Sequence, residues 1–129
     1  MPITRATDIA LRVLMTLTND SQDHTTVALL ADDIGVPARY TGKIVQRLAT
    51  EGWIDTIRGR GGGIRVSAAG RQVTPVDVIN LLGEGWPTID CTKPRCPLLV
   101  RGCRLHDILI DAEEAFMTSL GAITMDKLG

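Results

Sequence analysis

Aromatic side chains are almost missing from this chain. Phe, Trp and Tyr make up 3% of its 129 residues, so a core has to be assembled from Leu, Ile, Val and Ala. No apolar run approaches the roughly 18 residues that a membrane-spanning helix needs. The opening "MPITRATDIALR" has neither the long apolar segment nor the small-residue cleavage site of a signal peptide, and a cytoplasmic protein is expected. Internal repeats and low-complexity segments are absent. So are a Ser/His/Asp set, a paired-carboxylate pattern and a phosphate loop: the Gly-rich "GRGGG" joins two strand-like segments instead of opening a helix. An enzyme is therefore not expected. Cysteine is scarce, and its count of three is odd, so the thiols cannot all pair within one chain. A reducing cytoplasm disfavours structural disulfides in any case.

The chain length suits one domain with a modest core. A net charge of −1 conceals an uneven distribution. Between Val36 and Gln72 stand seven basic residues (Arg39, Lys43, Arg47, Arg58, Arg60, Arg65, Arg71) against two acidic ones, whereas from Arg104 onward two basic residues face five acidic ones. A basic middle and an acidic tail point to one face that meets a polyanion.

Helical spacing of Ile9, Ala10, Val13, Leu14 and Leu17 predicts a first helix over 7–20, with Thr7 as its cap. A second helix is expected over 25–36, ending near Gly35, and a third over 37–52, with Pro37 in its first turn and Gly52 as its stop. Helix, glycine turn, helix is the helix-turn-helix pattern. Two alternating segments follow, "WIDTI" and "GIRVS", joined by "RGRGG". A hairpin directly after a helix-turn-helix makes a winged helix, and its tip would offer Arg58 and Arg60 to phosphate or a minor groove, with Gly61 allowing close backbone approach. The third helix would present Arg39, Tyr40, Thr41, Lys43 and Gln46 to a major groove. The plain alternative is a solvated face on a generic helical domain.

"TPVDVINLLGEG", 74–85, reads as a short helix capped by Thr74 with Pro75 in first position. The cysteine loop comes next, and then a long helix over 103–123 with an apolar stripe of Leu105, Ile108, Leu109, Ala112, Ala115, Phe116 and Leu120. Such a stripe on a terminal helix is expected to pack on a second copy of itself. The fold class is accordingly mostly α with a small β wing: a winged helix-turn-helix at 1–85, a cysteine-bearing loop at 86–103, and a dimerisation helix and tail at 104–129.

The loop "DCTKPRCPLLVRGCRLHD" spaces its thiols C-x4-C-x6-C. Structural zinc favours four ligands and shorter knuckles. Iron–sulfur clusters accept wider spacings and are held by thiolates, with His in place of Cys at some centres. Zinc, a bare thiol sensor and three buried small hydrophobes are the alternatives.

"TDIALRVLM", "IRGRGGGIRV" and "DCTKPRCPLLVRGCRLHDIL" together resemble the winged-helix iron–sulfur transcriptional regulators of the IscR/NsrR type, over nearly the whole chain. The match at Thr7, Asp8, Ala10, Leu11 and Arg12 is closest to the nitric-oxide-sensing repressor branch. The resemblance implies a homodimeric repressor of a palindromic operator in double-stranded DNA, with nitric oxide as its signal. It further implies a cluster held by Cys91, Cys96 and Cys103, with Asp8 from the partner subunit as the fourth ligand. A 4Fe–4S cluster is expected ahead of 2Fe–2S. His106 is the alternative fourth ligand and would favour 2Fe–2S. Read by itself, Asp8 with Arg12 at i,i+4 is a surface ion pair of small energy.

Overall fold

Residue Thr4 starts the first helix. In the computed structural model, which describes residues 3–20, 23–85, 87 and 89–128, α1 spans Arg5–Asn19, and the Thr4 hydroxyl accepts the Thr7 N–H. The cap expected at Thr7 thus lies one turn earlier. Thr7 is fully buried with its hydroxyl 3.0 Å from that of Thr4, and Thr4 in turn donates to the Leu82 carbonyl. A threonine that faces the core cannot also cap an open helix end.

Around α1 the chain places α2 (Val27–Ile34), α3 (Ala38–Thr50), the hairpin β1 (Ile54–Ile57) and β2 (Gly63–Val66), and then α4 (Ala68–Gln72) and α5 (Pro75–Leu82). Ile9, Ala10, Val13, Leu14 and Leu17 of α1 meet Leu30 and Ile34, Val45 and Leu48, and Ile54, Ile64 and Val66 in one apolar cluster. Each Leu, Ile or Val side chain among them contributes about 1.5–3 kcal/mol on burial. No described aromatic residue is buried there, and Trp53 only packs at its edge.

The turn between α2 and α3 depends on Gly35, whose φ of +70° ends α2 in the left-handed region. β1 and β2 pair antiparallel with Ile54 opposite Val66 and Ile57 opposite Gly63. Thr25, expected inside the second helix, instead lies beside the wing. It exchanges two backbone hydrogen bonds with Ile64, at 2.9 and 2.7 Å, and Thr26 caps α2. Gly63 makes this approach possible, because a Cβ there would lie 2.1 Å from the Thr25 carbonyl oxygen.

Three elements lie outside the sequence expectation, one of them a 3₁₀ turn over Leu99–Arg101 in the cysteine loop. α4 is capped by Ser67, which also donates to the Gly52 carbonyl at 2.6 Å. After α6 (Arg104–Gly121), a 3₁₀ turn over Met125–Lys127 folds back. Met125 is fully buried in the winged-helix core, and its N–H donates to the Val73 carbonyl at 2.9 Å. Met125→Ala is expected to cost about 2–5 kcal/mol, lowering the melting temperature on the order of 10 °C. Thermal denaturation followed by circular dichroism checks this.

α6 is about 27 Å long at 1.5 Å per residue, and none of its residues is buried. Its apolar stripe divides. Leu105 and Leu109, together with Ile110 from outside the stripe, line the cavity beside the cysteine loop, while Ile108 is 57% exposed on another side with Ala112 and Ala115.

Candidate nucleic-acid interface and cysteine cavity

α3 starts after Pro37 and turns Arg39, Tyr40, Lys43 and Gln46 outward. Thr41 does not join them. It is fully buried, and its hydroxyl donates to the Val36 and Pro37 carbonyls at 3.3 and 3.2 Å. A side chain that ties the helix-turn-helix together from inside offers nothing to a groove, and Thr41 leaves the expected contact set. Arg58, Arg60 and Gly61 form the exposed wing tip, with Gly61 at φ +70°. The basic excess is smaller than the count suggests. Arg65 stands 3.8 Å from Asp55 and 3.9 Å from Asp23, and Arg71 donates to the Thr18 carbonyl. No described carboxylate lies within ion-pair distance of Arg58 or Arg60.

Cys91, Cys96 and Cys103 line one cavity of about 160 Å³ with His106, Glu113 and the apolar side chains of Ile89, Leu98, Leu105, Leu109 and Ile110. The loop is closed by the Cys96 N–H donating to the Cys91 carbonyl at 2.8 Å. Asp90 shapes its entry. The Thr92 hydroxyl and backbone N–H both donate to the Asp90 carboxylate and hold its pKa below the usual value. Burial pushes the Cys91 thiol up, and the neighbouring Cys96 and Cys103 sulfurs push it further, since three thiolates together would repel. Cys103 occupies the N-cap position of α6. His106 Nδ1 lies 3.3 Å from the Asp107 carboxylate.

Asp8 is held by Arg12 through both carboxylate oxygens, at 3.0 and 3.2 Å, and does not line the cavity of its own subunit. Arg12 also reaches the Ile34 carbonyl at 3.4 Å. Glu113, unforeseen from the sequence, had a legible signal: it follows His106 by seven residues, two turns along one helix face.

Residues 3–129 match the family described as Rrf2, iron-dependent transcriptional regulator. The chain belongs to the Rrf2 family. It is 36% identical over 132 residues to the HTH-type transcriptional repressor NsrR of Streptomyces coelicolor, across 99% of this chain and 88% of that protein. It is 33% identical over 132 residues to the HTH-type transcriptional regulator NsrR of Geobacillus kaustophilus, across 99% of this chain and 89% of that one. Among solved structures, T. potens IscR superposes with a TM-score of 0.75 at 17% identity, covering 99% of this chain and 86% of the other. Staphylococcus aureus CymR gives 0.74 at 19%, covering 97% and 95%; at these identities both likenesses concern the fold.

As an Rrf2 member the chain is a winged-helix, DNA-binding transcriptional regulator and not an enzyme. Arg58→Ala and Arg60→Ala are each expected to weaken binding to every duplex sequence alike. Each should also reduce the slope of log affinity against log salt by about 0.9, which fluorescence anisotropy over a salt series measures.

The iron that this family's description implies can be tested against the cavity. Three thiols share it, its wall is otherwise largely apolar, and their mutual repulsion is relieved by a cation. Such a donor set suits iron–sulfur ligation. Among the described residues no three His, Cys, Asp or Glu side chains converge closely enough to hold a single metal ion, so the cavity provides thiols spread along its wall. No described helix is long and apolar enough to cross a membrane.

Proposed function

We propose that this Rrf2 regulator is a cytoplasmic homodimer that holds an iron–sulfur cluster on Cys91, Cys96 and Cys103 and represses a palindromic operator until nitric oxide arrives. The observation that carries the reading is the gathering of all three cysteines into one cavity at the start of α6, whose exposed apolar face is suited to a second copy. Residues 1–85, with the returning turn at Met125, read DNA. Residues 86–103 hold the cluster, and α6 pairs the subunits.

Asp8 of the partner subunit is the proposed fourth ligand, and 4Fe–4S the preferred cluster. When bound, the cluster supplies iron with which nitric oxide reacts. The chain's own part is to keep one coordination position weak. A carboxylate oxygen is a harder donor than three thiolates and the less suited to this metal. To serve, Asp8 leaves Arg12. Both side chains are about half exposed, so breaking the pair costs only about 0.3–0.5 kcal/mol. The loop and the start of α6 adjoin, so a change in loop conformation is transmitted to the subunit interface and to the spacing of the two recognition helices. His106 lines the same cavity as the cysteines, which favours a second reading: His106 as ligand of a 2Fe–2S cluster.

Native mass spectrometry of anaerobically purified protein separates these. A dimer carrying four irons and four sulfides per subunit, as one cubane cluster requires, supports the first reading. Asp8→Ala is then expected to retain the cluster but shed it faster in air. Two irons and two sulfides per subunit move the assignment to His106, and zinc overturns both.

A further inference from the structure

The first residue of α1 comes close to the recognition helix. Arg5 places its guanidinium carbon 5.6 Å from the centroid of the Tyr40 ring, and Arg39 shares the same ring at 5.4 Å. Tyr40 is 43% exposed, and both arginines are exposed. No described carboxylate lies within ion-pair distance of Arg5 or Arg39. Stacking on a ring engages the flat face of a guanidinium and leaves its N–H edge open. Two cations held beside one ring repel each other, and an anion between them removes that repulsion. α3 begins here without a side-chain cap, and of its first backbone N–H groups the Tyr40 N–H already donates to the Pro37 carbonyl at 3.0 Å.

We propose that Arg5, Tyr40 and Arg39 form a phosphate grip on the DNA backbone, in which uncharged Tyr40 acts as a platform fixing two guanidinium groups. Arg5 thereby joins the DNA-binding surface from α1, outside both the recognition helix and the wing. This inference rests on the winged helix being the part that meets DNA. Arginine supplies several N–H donors in a fixed fork that matches phosphate oxygens, and a contact to phosphate positions the protein without reading sequence.

The test measures the affinity of the full-length protein for a fluorescein-labelled duplex of mixed sequence over a salt series. Arg5→Ala is expected to lower the log–log slope by about 0.9, one phosphate contact. Tyr40→Ala removes no charge, yet is expected to lower the slope by a similar amount, because the unsupported guanidinium groups disperse. Tyr40→Phe keeps the ring face and is expected to match the wild type. All three positions are exposed, and unchanged melting curves confirm that the variants fold. An unchanged slope in Arg5→Ala, or in Tyr40→Ala, overturns the grip while wild-type binding still stands. Failure of the wild type to bind any duplex overturns the grip together with the reading beneath it.

Discussion

Ile108→Asp is expected to turn the protein into a monomer with little change to its winged helix. Ile108 is 57% exposed in the single subunit and does not line the cysteine cavity, so the subunit's own core and thiols do not depend on it. In a twofold interface the same position is buried twice, and each aspartate brings an unpaired charge out of water. α6 already carries Asp107, Asp111, Glu113 and Glu114 against the single Arg104, so an added carboxylate enters a predominantly acidic helix. Losing the dimer forfeits simultaneous engagement of two half-sites, an advantage of about 10²–10⁴ in affinity. Sedimentation velocity and operator titration on one preparation measure both effects. A variant that remains dimeric with full affinity would place the subunit interface elsewhere.

Cys96→Ser is expected to abolish iron and sulfide binding while the apo protein keeps its melting temperature. The Cys96 side chain is only partly buried, and its structural contribution is made by the backbone, whose N–H closes the loop on the Cys91 carbonyl; serine preserves that bond. What serine removes is one of three soft donors, and the remaining two thiols do not satisfy a cluster. Iron and acid-labile sulfide assays after anaerobic reconstitution read the loss. His106→Ala beside it gives the contrast: iron retained and shed in air at the wild-type rate favours Asp8 as fourth ligand, and iron lost or shed faster favours His106.

Much of this architecture was legible in order and type. Thr74 and Pro75 open α5 as expected, and there the capping box is completed by Asp77. The wing strands fall within a residue of their expected bounds, because alternation and a glycine-rich tip are local signals. Thr25 was misread because a single residue pairing with Ile64 leaves no periodic trace. α4 is only five residues long, too short for helical spacing to register.

Sequence by itself determined the winged-helix plan, the basic residues of α3 and the wing, the aliphatic core and the clustering of every cysteine in one loop. Each of these is written in the spacing of neighbours along the chain. Tertiary structure decided the rest. It buried Thr41 and Thr7, paired Arg65 with Asp55 and Asp23, returned Met125 to the core, split the α6 stripe between cavity and solvent, and brought Arg5 to Tyr40. The physical reason is common to all of them. Burial and pairing are set by what lies opposite a side chain, and the opposing residue is often tens of positions away.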